Sequence, residues 1–270
     1  MKRVLFGLFI ALLGIGIGVL WYMHDKEINS FAMPDTYSAI LKRDYVVVGV
    51  KTDTKPFGYI NDAGEIVGLD IDLAKSVAKY LLRDENKLKL VSVTPSDRLI
   101  KLTTGEVDMV IATMTVTPQR MDLIDFTHSY FIAGQTVMTL AKSDVKALSD
   151  LSNKNIGVIF GTTAEKNLRI LLPTARVFGY KTYADAYEGL KSGVIDAITA
   201  DDTILRNYMI NDRSVRILPK RYSKEPYAIG IRKGKENKVL LDKVNEMLKS
   251  IITSGSINKL YAKWGLMNRL

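Results

Sequence analysis

Two short apolar stretches of this 270-residue chain are each followed by groups that could hold a small charged molecule. After Val107 to Ala112 come Thr113, Thr115 and Arg120, two hydroxyls and a guanidinium; after the stretch ending at Ala200 come Asp201 and Asp202. A guanidinium can clamp a carboxylate through two parallel hydrogen bonds, which an ammonium cannot reproduce. A carboxylate suits an ammonium, each charge-assisted bond contributing about 1.5–3 kcal/mol. An α-amino acid presents both charges at once. Each group also has a plainer reading: Arg120 could pair with Asp122 or Asp125, and either aspartate of the second pair could cap a helix at 203–208. The reading taken here is Asp201 for ligand and Asp202 for the cap.

Further groups converge on the same region. Thr117-Pro118-Gln119-Arg120 reads as an N-cap with Pro at the first helical position, and a helix start offers free N–H groups to an anion. Gly161-Thr162-Thr163 before a helix at 164–172 either donates N–H groups in the same way or is a simple capping loop. Lys51 ends the β-branched run that begins at Tyr45, and Arg98 lies early in the helix after a second strand. Singly, each is explained by a solvated charge; together they suit a second carboxylate, that of aspartate or glutamate. Phe57, Tyr59 and Tyr227 are candidates for the walls of a cleft or for core.

The elements that must position these groups repeat. Leu102-x-x-Gly105-x-x-Asp108-x-x-x-Ala112 and Leu190-x-x-Gly193-x-x-Asp196-x-x-x-Ala200 share one spacing, read as helix end, Gly turn and buried strand. Strands are expected at 45–50, 88–93 and 107–112, with helices at 70–82 and from an N-cap at Ser96, an order that implies parallel pairing. The scheme restarts with strands at 156–160 and 177–180 and helices at 164–172 and 183–191. Extended connections near 136–141 and 226–231 bracket this second unit. The expected architecture is therefore α/β, with lobe 1 at 45–138 and 228–270, lobe 2 at 139–227, and a two-strand hinge. In open α/β sheets ligands bind beyond the carboxyl ends of the strands, which is where the charged groups stand.

Composition narrows the function. Hydrophobic residues make up 47% and charged residues 25%, proportions of a folded globular chain. Cysteine is absent, which excludes disulfides, thiolate metal sites and a lipid-modified N-terminal Cys. The net charge of +9 is spread among acidic residues without a basic stripe, so no nucleic-acid partner is expected. His24 and His128 stand apart, and no nucleophile elbow or phosphate loop occurs, so neither an enzyme, a metal site nor a cofactor is expected. Lys2 and Arg3 precede an uncharged run from Val4 to Met23 closed by Trp21 and Tyr22, the pattern of a membrane anchor. Residues 1–24 are read as that anchor, or as a signal cleaved near Ser30-Phe31-Ala32, and 25–44 as a tether. Either way the rest is exported: to the outer face of the cell membrane, or secreted or periplasmic if cleaved.

From about Asp44 to Leu266 the chain resembles the extracytoplasmic solute-binding proteins of bacterial polar-amino-acid ABC importers, family 3. The residues that carry the resemblance are Val-Gly-Val-Lys51-Thr-Asp-Thr-Lys-Pro-Phe57-Gly-Tyr, Gly68-Leu-Asp-Ile-Asp-Leu73, Ala112-Thr-Met-Thr-Val-Thr-Pro-Gln-Arg120, Ile124-Asp-Phe-Thr, the Asp196 strand through Asp201, and Tyr261-Ala-Lys-Trp-Gly265. The resemblance implies a type-II periplasmic-binding fold, a monomer, and an ABC permease as partner. It further implies that Arg120 clamps the α-carboxylate with help from Thr115 and Thr163, and that Asp201 takes the α-amine. Lys51 and Arg98 match the branch that binds aspartate or glutamate. Thr54 stands near the place where many members stack an aromatic on the ligand, and the anchor would replace the lipidated Cys. Two other readings stay open at this stage: a membrane-tethered sensory ectodomain, and a dehydratase of cyclic acids on the same scaffold.

Overall fold

The computed structural model describes residues 35–266. The proposed anchor and the first half of the tether, 25–34, lie outside the described residues. The chain enters through α1 (Thr36–Arg43), whose N-cap Asp35 accepts the N–H groups of Tyr37 and Ser38. Ile40 is fully buried, and Thr36 donates to Asn237 Oδ1 at 2.5 Å and accepts from Arg232 at 2.6 Å. The segment read as a tether thus ends in a helix fixed to the first lobe.

The first lobe follows from its β-branched run. β1 (Val46–Val50) is buried along its whole length. A small antiparallel sheet of β2 (Asp53–Thr54), β3 (Gly58–Ile60) and β4 (Ile66–Val67) comes next, with β3 and β4 joined by a turn at Asn61–Gly64. α2 (Leu69–Leu82) buries Leu69, Leu73, Val77 and Leu81, one helical stripe. Its entrance needs glycine: at Gly68 φ is +136°, and a Cβ would lie 2.0 Å from the Phe57 carbonyl oxygen. Then come β5 (Leu88–Ser92), α3 (Arg98–Thr103), β6 (Met109–Ile111), α4 (Pro118–Met121) and β7 (Ile124–Ala133). The cap of α3 is Asp97, not Ser96. Asp97 and Thr94 satisfy each other's backbone N–H groups at 2.7 and 3.2 Å, so the turn closes one residue later than the sequence suggests.

β8 (Gln135–Leu140), β9 (Asn155–Ile159), α5 (Thr163–Leu171), β10 (Arg176–Tyr180), α6 (Tyr183–Lys191), β11 (Ala197–Asp201), α7 (Asp202–Asn211) and β12 (Val215–Ile217) build the second lobe. The chain then returns as β13 (Glu225–Arg232) and closes with α8 (Lys238–Thr253) and α9 (Ser256–Lys263). The two large sheets have the orders β5-β1-β6-β13-β7 and β10-β9-β11-β8-β12. Within each, three strands run parallel, and β13, β7, β8 and β12 supply the antiparallel pairings. β8 lies wholly in the second sheet and all of β13 in the first. The changeovers therefore fall at Gly134 and just before Glu225, a few residues ahead of the expected 138 and 228.

The repeated spacing has a structural meaning in both lobes. Gly105 and Gly193 both adopt φ +79°, closing the helix before the strand. Asp108 accepts the N–H of Val47 at 2.7 Å and gives its own N–H to the Val47 carbonyl at 2.9 Å. Asp196 repeats this with Asn155, at 2.8 and 2.7 Å. Each aspartate thereby fixes the register of its own strand against the neighbouring parallel strand, β1 in the first lobe and β9 in the second, and with it the height at which that strand ends.

Candidate functional site

The strand ends of the two lobes face one another across a narrow cleft. Seven of the sequence-selected residues line it: Lys51, Arg98, Thr113, Thr115, Thr162, Thr163 and Asp201. Tyr183 joins them from the start of α6; a tyrosine after a capping threonine carries no mark in the sequence that would single it out.

The lobe 1 side is cationic. Lys51, just past β1, is 1% exposed, and its ammonium sits 2.8 Å from Asp53. Burial pulls its pKa down while the Asp53 charge opposes the shift. Arg98 opens α3, is 3% exposed, and donates from Nη1 to the Ala112 carbonyl at 2.6 Å; its Nε meets no protein acceptor among the described residues. Burial, and then the neighbouring Arg120 charge, bring its pKa down to about 9. Thr113 is held at φ +45°, a strained region for a β-branched residue, with its N–H on Asp70 Oδ2 at 3.0 Å. Asp70 also takes the Tyr130 hydroxyl at 2.8 Å.

Arg120 stands on the helix start that Thr117 and Pro118 predict, though it is not among the residues that line the cleft. Thr117 caps α4 by accepting the Arg120 N–H at 3.3 Å, and Pro118 takes the first helical position. The guanidinium turns inward rather than to Asp122 or Asp125: Nη1 donates to the Thr115 carbonyl at 2.7 Å and Nη2 to the Gly161 carbonyl of the other lobe at 3.2 Å.

The lobe 2 side is anionic. Asp201 ends β11 and occupies the N-cap position of α7, yet its carboxylate makes no capping bond and instead receives the Tyr227 hydroxyl. Burial first, and the nearby Glu225 charge second, raise its pKa to about 7. Asp202, expected to be the cap, is the first residue of α7 and forms ion pairs with Arg221 at 2.9 Å and Arg206 at 3.7 Å. Thr162 caps α5, accepting the Glu165 N–H at 3.4 Å, and the Thr163 hydroxyl donates to Glu225 Oε2 at 2.7 Å. Glu225 is buried, collects donors from Asn167 and Ser223 as well, and went unnoticed in the sequence because its role depends on contacts across the hinge.

Two of the aromatics left open between cleft wall and core belong to the core. Phe57 is fully buried and packs edge-on against Phe131 at 5.2 Å and Tyr227 at 5.3 Å, so it is core behind the site and not a wall. Tyr227 is also fully buried and reaches the site through its hydroxyl alone. The lobes meet where Gly161, at φ +77°, lies so close that an added Cβ would be 2.8 Å from the Pro95 carbonyl oxygen. Ser96 spans the same seam to the Phe160 carbonyl at 3.4 Å.

The description "bacterial extracellular solute-binding proteins, family 3" matches residues 46–267, nearly all of the described chain. The chain belongs to this family. Among its relatives, the ABC transporter glutamine-binding protein GlnH of Bacillus subtilis is 37% identical over 89% of this chain and 88% of its own. The glutamine-binding protein of Geobacillus stearothermophilus is 39% identical over 78% of this chain and 82% of its own. An ancestral arginine-binding protein bound to glutamine superposes with a TM-score of 0.75 at 33% identity, covering 83% of this chain and 99% of that one. As a family member the chain is an amino-acid-binding receptor of an ABC importer; its relatives are binding proteins, and it is not an enzyme.

The Gly161–Pro95 seam is a contact between the two lobes with no room for a side chain. Gly161→Ala is expected to weaken amino-acid binding about tenfold, the equivalent of 1.4 kcal/mol in calorimetric titration, because the methyl group props the lobes apart.

Proposed function

We propose that the receptor closes around glutamine, with Arg120 on the α-carboxylate, Asp201 on the α-ammonium, and the side-chain amide toward Lys51 and Arg98. The observation that carries the choice of side chain is the 2.8 Å Lys51–Asp53 pair. A cation already matched by a carboxylate can still donate to an amide oxygen, but it no longer calls for a second ligand charge. This tempers the expectation of aspartate or glutamate, which counted Lys51 as spare. The two glutamine-binding relatives at 37% and 39% identity support the same choice, while a glutamate-binding protein of Corynebacterium efficiens matches at 29%. Thr115, Thr163 and the start of α5 would complete the grip on the carboxylate. A ligand held by both lobes stabilises the closed form through its greater affinity for it, and micromolar binding requires only about −8 kcal/mol.

The apolar run at 4–23 fits a tether that keeps this receptor on the outer face of the membrane, beside its permease. Calorimetric titration of the full chain in mild detergent against all the amino acids tests the assignment. Glutamine should bind with the lowest Kd, and a clear preference for glutamate, arginine or cystine would overturn it.

A further inference from the structure

Behind the cleft wall stands a charge that the grip on the ligand does not use. Asp70, in the first turn of α2, is fully buried, and neither of its hydrogen bonds comes from a cation: one is from the Thr113 N–H at 3.0 Å, the other from the Tyr130 hydroxyl at 2.8 Å. Arg98 is buried on the other side of the same dipeptide, holding the Ala112 carbonyl at 2.6 Å with its Nε unmatched. Burial chiefly raises the Asp70 pKa, to about 6, and the Arg98 charge lowers it slightly with no ion pair joining the two side chains. A buried ion needs its charge offset, and Asp70 and Arg98 hold opposite ends of the peptide unit between Ala112 and Thr113, which puts the two charges near one another across it.

We infer that Asp70 is a specificity-determining residue: as the counter-charge of Arg98 it makes the cleft favour an uncharged amide over a carboxylate at the end of the ligand side chain. The inference rests on the glutamine reading above. The charges around the cleft support it. Lys51 is matched by Asp53 and Arg98 by Asp70, while Arg120 and Asp201 answer the two termini of a zwitterion, with Glu225 adding a negative charge near both. Three cations therefore face four carboxylates, which leaves no positive charge for a second ligand carboxylate. Removing the Asp70 charge uncovers Arg98, which lines the cleft, and the balance should tip toward glutamate.

Asp70→Asn tests this with little change of shape. The amide oxygen can keep the Thr113 N–H, and the amide NH₂ can donate to a Tyr130 hydroxyl rotated to accept it. The full chain and the variant are titrated with glutamine and glutamate at pH 7.5, and thermal unfolding confirms folding. The expected result is a fall of about tenfold in the ratio of the glutamate Kd to the glutamine Kd. Equal weakening of both ligands, or an unchanged ratio, would make Asp70 a merely structural group and overturn the proposal. Failure of the unaltered chain to bind glutamine would instead overturn the functional reading itself, and this one with it. Should Asp70→Asn not fold, Arg98→Gln and the double variant Asp70→Asn/Arg98→Gln decide. Loss of Arg98 alone should raise the ratio, and the double variant should bring it back toward the unaltered value; a double variant that matches Arg98→Gln would refute the coupling.

Discussion

Arg120→Ala is expected to weaken glutamine binding by two to four orders of magnitude, and Arg120→Lys to recover only part of the loss. The size follows from two charge-assisted bonds to one carboxylate, at about 1.5–3 kcal/mol each. Lysine keeps the charge but loses the fork that grips both oxygens. In the structure the guanidinium rests on carbonyls of both lobes, those of Thr115 and Gly161, so it is already at the seam where a ligand carboxylate would have to sit. Its burial lowers its pKa, which shows a charge held in the site against its own solvation. Removing it also takes the donor from the Thr115 and Gly161 carbonyls, so the empty protein should lose some stability as well. Calorimetry alongside thermal unfolding separates the two quantities, and near-native affinity in the alanine variant would remove Arg120 from the site.

Asp201→Asn should have a comparable effect on affinity and should also abolish a pH dependence. Burial and the Glu225 charge raise the Asp201 carboxyl to about 7, well above its value in an unfolded chain. Only the carboxylate can pair with the ligand ammonium, so below about pH 7 binding must first expel a proton. Affinity is then expected to fall as pH drops from 7.5 to 5, approaching tenfold per unit, with a nearly flat response in Asp201→Asn. The empty protein obeys the opposite sign. A carboxyl raised on folding contributes stability that is fully present below about pH 4 and lost as pH rises through about 7. The gap between the melting temperatures with and without glutamine should therefore widen from pH 5 to pH 8. A gap that stays constant would mean that Asp201 is not the ammonium partner.

Much of this site was readable because its chemistry is carried by residue types at strand ends. Arg120 and Asp201 stand just after apolar runs, and the Gly-x-x-Asp repeat marks both runs; the register bonds of Asp108 and Asp196 give the reason for that spacing. Phe57 stayed undecided between wall and core because an aromatic near a site looks the same in sequence whether it faces the cleft or, as here, Phe131 and Tyr227. Asp70 and Glu225 stayed hidden because their partners lie 60 and 62 residues away, at Tyr130 and Thr163. β7 was missed as a strand since its burial does not alternate: its pairing with β13 shifts register around Ala228, which erases the period of two. β12 has only three residues, too few for any pattern.

The double passage of the backbone between the sheets, at Gly134 and just before Glu225, has a kinetic meaning. Once one lobe has caught an amino acid, the opposing surface is not a second partner that must diffuse in but one already leashed at two points. Its local concentration is set by the span of a few residues and not by the abundance of the protein. Capture should therefore follow first-order kinetics after encounter, with a closing rate independent of receptor density on the cell.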